Sequence, residues 1–307
     1  MKISIFGAGN VGSLTALRIA QENLAEVVLV DIVKGMAQGK SFDIEDARWL
    51  LNSNYNLRGT EDINQIKGSD VVVVTAGLAR KPGMTREELL AKNAAILKDI
   101  CLNIKSLSPE SIVIIVTNPL DLMTFYALKI TGFNPKKLFG MGISLDAARF
   151  ANIISKELSV PVTDVEACVI GSHGEAMLPL ARWTKVKGEP LNKFIDDKKC
   201  ADLVKKTIGR GLEIITLLGS GSAYFAPSAA VAQIVKAIAK NESRVIGACT
   251  LLNGEYGLKD ICLGLPCRIG KAGIEEVIKV DLNKEETEAF VKSGETIRNL
   301  ISQLPNV

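Results

Sequence analysis

The sequence predicts an α/β chain, a doubly wound parallel sheet followed by a mixed α+β region, and three observations carry that prediction. Short Val/Ile-rich runs alternate with helical stretches through the first half, as strands buried on both faces require. A glycine-rich turn joins the first run directly to the first helix. Beyond residue 142 the helices lengthen, and turn-rich strands gather at 244–277. A single core stops growing at about 250–300 residues. The 307-residue chain is therefore expected to form two domains, 1–142 and 143–307.

The expected strands of the first half are Ile3–Phe6, Val27–Val30, Val71–Thr75 and Ile112–Thr117. Helices are expected at Val11–Gln21, Val33–Leu51, Arg86–Leu107 and Leu120–Ile130, with Pro119 preset for a first helical position. In the second half the helical spacing covers Asp146–Leu158, Ala201–Leu218, Ala223–Ala239 and Lys284–Leu304. The last of these carries Phe290, Val291, Ile297 and Leu300 on one amphipathic face. A ligand site belongs between the two domains.

Composition narrows the class. Hydrophobic residues at 47% and charged residues at 23% describe a chain that folds throughout. A net charge of +3 without a basic-aromatic stripe argues against a nucleic-acid partner. Apolar runs such as Val71–Ala79 fall short of the ~18 residues of a membrane span. Glycines 7, 9 and 12 interrupt the segment that could imitate a signal peptide, so a cytoplasmic location is expected. The six cysteines are scattered among apolar neighbours and read as reduced thiols. Cys262 and Cys267 form the one close pair, with no histidine nearby to complete a zinc site, and no metal is expected.

Gly7-Ala8-Gly9-Asn10-Val11-Gly12 leaves the first strand and opens a helix, the context in which G-x-G-x-x-G signifies a Rossmann dinucleotide site. Its glycines permit a tight turn, close approach to a pyrophosphate and close helix packing. Asp31, at the end of the second strand, suits the ribose hydroxyls and would repel a 2′-phosphate, so NAD is expected rather than NADP. Gly35-Met36-Ala37-Gln38-Gly39-Lys40-Ser41 imitates a P-loop but has three residues between its glycines where four are required. Its spacing is that of a helix.

His173 is the sole histidine, set between Ser172 and Gly174 after the run Val165–Ile170. Imidazole acid-base chemistry in this chain has no other source. Its flanking glycines suit an exposed turn at a strand end. Asp146 and Arg149 stand three apart at the start of a helix and share a face. Arg80 and Arg86 flank a Pro-Gly loop after a buried strand. A structural histidine, an intrahelical ion pair and a solvated basic loop are the plainer alternatives for these features.

Together these residues resemble the lactate and malate dehydrogenase superfamily over essentially the whole chain. Gly7, Ala8, Gly9, Asn10, Val11 and Gly12 with Asp31 resemble its cofactor site, and Asn93 falls where the family contacts the cofactor. Val116-Thr117-Asn118-Pro119 resembles its nicotinamide-side segment, Leu145 to Arg149 its aspartate-arginine helix, and His173-Gly174 its catalytic turn. The resemblance implies that His173 exchanges the substrate proton, that Asp146 holds the ring, and that Arg149 grips the carboxylate beside the reacting carbon. It implies further that Arg86, helped by Asn118, polarises the carbonyl. Arg80 matches the malate pattern, whereas lactate enzymes generally carry glutamine there, and a second substrate carboxylate calls for such a cation. Met177 and Gly221-Ser222-Ala223-Tyr224 point to the same branch. The implied substrates are malate and oxaloacetate, the implied cofactor NAD, and the implied assembly a homodimer or homotetramer. Glu175 departs from the family, which usually has aspartate there.

Overall fold

The computed structural model describes residues 1–78 and 85–305, with only the backbone of Arg86. The first half runs β1 (Lys2–Phe6), α1 (Asn10–Gln21), β2 (Glu26–Val30), α2 (Met36–Leu50), β3 (Leu57–Thr60), β4 (Val71–Val74), α3 (Arg86–Leu107), β5 (Ile112–Ile115), α4 (Leu120–Thr131) and β6 (Leu138–Gly140). The second half continues α5 (Ile143–Leu158), β7 (Val165–Glu166), β8 (Val169–Gly171), β9 (Met177–Pro179), β10 (Lys185–Val186), β11 (Glu189–Pro190), α6 (Asp197–Leu218) and α7 (Phe225–Ala239). It closes with β12 (Arg244–Asn253), β13 (Lys259–Gly270), β14 (Gly273–Val277) and α8 (Lys284–Ile301).

The first six strands are parallel in the order β3-β2-β1-β4-β5-β6, the doubly wound arrangement expected. Alternate strand residues serve opposite faces. Val71, Val73, Ile112 and Ile114 pack towards α7, while Val72, Val74, Val113 and Ile115 join α3 and α4 on the other side. The sheet does not stop at the end of the first half: β6 pairs with β12 at Gly140 and Cys249, and β13, β8 and β9 follow antiparallel. The same cores therefore take residues from both halves, and a third lies between α5 and α6. This places Gly142, just after β6, and Asp121, early in the helix after β5, against the turn that follows β8.

Several elements differ from expectation for local reasons. The strands β3 and β6 were not expected. Each is four residues or fewer, and β3, an edge strand, buries only Leu57. Helix α2 begins at Met36, after Val33, because Gly35 is left-handed at φ 75°. Pro119 is the N-cap of α4 with extended backbone, one position before the helix. Helix α7 starts at Phe225, so Ala223 belongs to the preceding loop. Helices α5 and α6 start earlier than expected, at Ile143 and Asp197, the latter capped by the Asp196 carboxylate on the Lys199 N–H. At the mouth of the sheet, α3 opens with a capping box between Thr85 and Glu88. The six cysteines are free, four of them buried.

Candidate active site

Helix α5 carries two of the expected polar residues, one turn apart. Asp146 is wholly buried, and its Oδ1 accepts a hydrogen bond from an Arg149 Nη at 3.1 Å. The intrahelical pair thus exists, but it is half of a larger arrangement: Asp146 Oδ2 lies 2.7 Å from His173 Nδ1. One buried carboxylate therefore holds both the ring and the guanidinium. Gly211 of α6 faces the guanidinium of Arg149.

The turn that carries His173 depends on two left-handed glycines, Gly171 at φ 89° and Gly174 at φ 119°, where a side chain would be strained. The expectation of an exposed turn is corrected: the imidazole retains only 17% exposure. Beneath it, Asp121 of α4 accepts hydrogen bonds from the His173 N–H and the Ser172 hydroxyl, both at 2.9 Å on Oδ2. Ser293 of α8 accepts the Ser172 N–H at 3.0 Å and donates to the Ala176 carbonyl. The turn is pinned from two helices. Gly142, the N-cap of α5, packs beside His173, where a methyl group would come within 3.2 Å of the histidine Cβ.

Electrostatics favour the protonated ring. Burial by itself disfavours an imidazolium, but the carboxylates of Asp146 and Asp121 outweigh burial and the opposing Arg149, and the His173 pKa rises above its ordinary value. Nδ1 faces Asp146, which leaves Nε2 as the nitrogen free to exchange a proton.

The glycine turn offers a different kind of site. A Cβ on Gly12 would stand 1.8 Å from the Gly7 carbonyl oxygen, so α1 can approach β1 this closely only without one. Above Gly9 the space is open, and as N-cap of α1 it provides no side-chain acceptor for the first amides. Such a cradle suits a pyrophosphate at a helix N-terminus. Ala8, Asn10 and Val11 complete the turn. Asp31 immediately follows β2, with Oδ2 accepting the Ala8 N–H at 2.6 Å and Oδ1 the Val33 N–H at 2.9 Å. The carboxylate thus ties the glycine turn to the end of β2, where a ribose would lie. These residues fit a dinucleotide.

Between the two sites, the segment after β5 is held by side chains. The Thr117 hydroxyl donates to the Ala76 carbonyl at 2.7 Å, and the Val116 N–H to the Val74 carbonyl at 2.9 Å. Buried Asn93 accepts the Leu78 N–H at 2.7 Å and donates to the Asn118 carbonyl at 2.9 Å. Its amide is spent on joining these two connections, while Asn118 itself is exposed. Arg80 and the side chain of Arg86 lie outside the described residues. Met177 is buried in the core between α5 and α6, and Glu175 is exposed. The sequence reading missed Asp121, Ser172 and Ser293. The available signal was an aspartate two positions after Pro119 in an otherwise strongly apolar helix.

Among the described residues no group of three or more His, Cys, Asp and Glu side chains could hold a metal ion. Likewise, no described helix is long and apolar enough to cross a membrane.

Comparison with known proteins adds a family. Residues 1–140 match the model of the lactate/malate dehydrogenase NAD binding domain, and residues 143–306 that of the lactate/malate dehydrogenase alpha/beta C-terminal domain. A malate dehydrogenase of Methanosarcina mazei is 47% identical over 304 residues, covering 99% of each chain. The crystal structure of Cryptosporidium parvum malate dehydrogenase superposes with a TM-score of 0.95 at 39% identity, covering 99% of this chain and 98% of that one. The lactate dehydrogenase of the same organism, complexed with lactic acid and the nicotinamide dinucleotide, also reaches 0.95, at 35% identity and with 100% and 98% covered. Backbone shape alone does not separate the two substrates.

Proposed function

The chain belongs to the lactate/malate dehydrogenase family, and on that premise we propose that this NAD-binding oxidoreductase interconverts (S)-malate and oxaloacetate. The observation that carries the catalytic reading is the buried Asp146 carboxylate, bonded to His173 Nδ1 on one oxygen and to Arg149 on the other. In malate oxidation His173 Nε2 accepts the hydroxyl proton, and Asp146 fixes the tautomer and stabilises the resulting imidazolium. Arg149 grips the carboxylate next to the reacting carbon. Arg86 and Asn118 polarise the oxygen, a stabilisation that grows as charge develops. NAD, when bound across the glycine turn, supplies the hydride acceptor; Gly7 to Gly12 hold its pyrophosphate and Asp31 its ribose. Val116, Thr117 and Asn93 shape the wall on its nicotinamide side.

Substrate choice rests on Arg80. Oxaloacetate brings a second carboxylate to pair with a guanidinium, whereas the methyl group of pyruvate leaves that cation unpaired. The malate dehydrogenase names of the relatives at 40–47% identity support the same choice. We assign the domain division to residues 142 and 143, a cytoplasmic setting, and a homodimer or homotetramer. The last is supported by apolar side chains left in solvent on α2 and late α6, Trp49 at 87% and Leu217 at 79% exposure among them.

The test is Arg80→Gln against Arg149→Gln. Losing one side of a desolvated charge pair costs about 2–5 kcal/mol, so Arg80→Gln should lower kcat/KM for oxaloacetate roughly 30-fold to several thousand-fold. Pyruvate should hold or improve. Arg149→Gln should impair both, because the carboxylate it binds is common to both. Equal losses with Arg80→Gln would remove the physical support for malate.

A further inference from the structure

Asp121 is a carboxylate in the wrong solvent. It is 3% exposed, flanked in α4 by buried Leu120 and Leu122 and bordered by the buried thiol of Cys249. A buried carboxylate is costly unless its oxygens are satisfied. One oxygen is satisfied: Oδ2 takes the Ser172 hydroxyl and the His173 N–H. The other, Oδ1, has no hydrogen-bond partner among the described residues. The Cys249 thiol, a weak donor, lies beside the carboxylate and is itself backed by Cys262. An aspartate needed only to staple two segments could be replaced by a neutral amide, without the cost of a half-satisfied charge.

Burial pushes the Asp121 carboxyl above the usual carboxylate range, and the Cys249, His173 and Ser172 groups around it offset that only in part. Two features favour the charged form. Asp121 lies in the first turn of α4, where the helix dipole stabilises a negative group. It also lies directly under the residue that gains a positive charge during turnover. Resting on the reading of His173 as the proton carrier, we propose that Asp121 is a second carboxylate for His173, a positioning residue that holds the ring's main chain and whose buried charge favours the imidazolium. Asp146 acts on the ring itself, and Asp121 acts from below through the peptide.

Among the described residues, the groups around the imidazole are Asp146 and Arg149 from α5, Asp121 from α4 and, from α8, the uncharged Ser293 through Ser172. Exposed Glu175 follows in the same turn. Facing Asp121 are Cys249 from β12 and, behind it, Cys262 from β13. Both Asp121 and Asp146 raise the pKa of His173, and Arg149 lowers it. Removing the Asp121 charge must therefore move the titration of the ring down in pH.

The chain has one histidine, so the full-length untagged protein labelled with ¹³C,¹⁵N-histidine gives one imidazole signal to titrate. Asp121→Asn should lower the pKa of that ring by about half a unit or more, the direction expected when an opposite charge is withdrawn. Reduction of the 2-oxo acid requires imidazolium, so its kcat/KM should fall at correspondingly lower pH. If the amide variant does not fold, Asp121→Ser removes the same charge with less buried polar bulk, and the same direction is expected. A folded variant whose ring titrates as in the parent protein would overturn the proposal, even if its Tm had fallen, because a purely structural aspartate would give that result. Failure of the underlying reading shows elsewhere, as retained turnover in His173→Asn, and is independent of the ring titration.

Discussion

The glycine turn at residues 7–12 and the histidine turn at residues 171–176 both leave a strand and both face the proposed site, yet they are built by opposite means. At the first, function lies in what is missing: no Cβ at Gly12, open space above Gly9, and no side-chain cap on the first amides of α1. At the second, every element nearby contributes a contact, with α4, α5 and α8 each holding some part of the turn. A backbone site is damaged by adding atoms, and the damage falls on binding. A side-chain site is damaged by removing charge, and the damage falls on chemistry.

The largest effect should come from the second region. His173→Asn removes the proton carrier, a contribution typically worth about 10²–10⁴-fold, while NADH affinity measured by fluorescence titration stays close to that of the parent. Gly12→Ala should do the reverse. Its methyl group collides with the Gly7 carbonyl, and overpacking of this kind costs about 1–3 kcal/mol, or roughly 5- to 150-fold in NADH affinity if the strain falls on the bound state. A Gly12→Ala protein that bound NADH normally but turned over slowly would break the division drawn between the two turns. The smallest effect should follow from Asp31→Ser, where a ribose acceptor and the anchor of the Ala8 N–H are lost together. The preference for NADH over NADPH should narrow by roughly tenfold, the equivalent of one charged hydrogen bond. Unchanged selectivity would place the ribose away from Asp31.

The two turns were not equally legible in the sequence. The glycine pattern carries its own spacing, and the strand before it and the acid after it are close in the chain, so local reading sufficed. His173 was legible because no other imidazole exists, and Asp146 with Arg149 because helical spacing puts them on one face. Asp121 was not legible as part of this site. It acts on residues 51 and 52 positions away, a distance that no periodicity encodes, and an acid early in a helix has an ordinary explanation in the helix dipole. The fold shows the same limit. Four Val/Ile-rich strands announced themselves by being apolar on both faces, whereas β3 and β6, four and three residues long, are too short to show a pattern of their own. The burial of His173 likewise comes from helices distant in sequence, which is why its flanking glycines suggested more exposure than the packed molecule allows.

The central claim, that these two turns together serve NAD-dependent reduction of a dicarboxylic 2-oxo acid, is tested most directly by NADH consumption in the parent protein. Oxaloacetate, pyruvate and 2-oxoisocaproate would be supplied separately, and the series repeated with NADPH. The account predicts that oxaloacetate with NADH exceeds pyruvate in kcat/KM by at least about 30-fold, the lower bound for pairing the second carboxylate, and exceeds its own rate with NADPH. Pyruvate used as efficiently as oxaloacetate, or NADPH as efficiently as NADH, would contradict it.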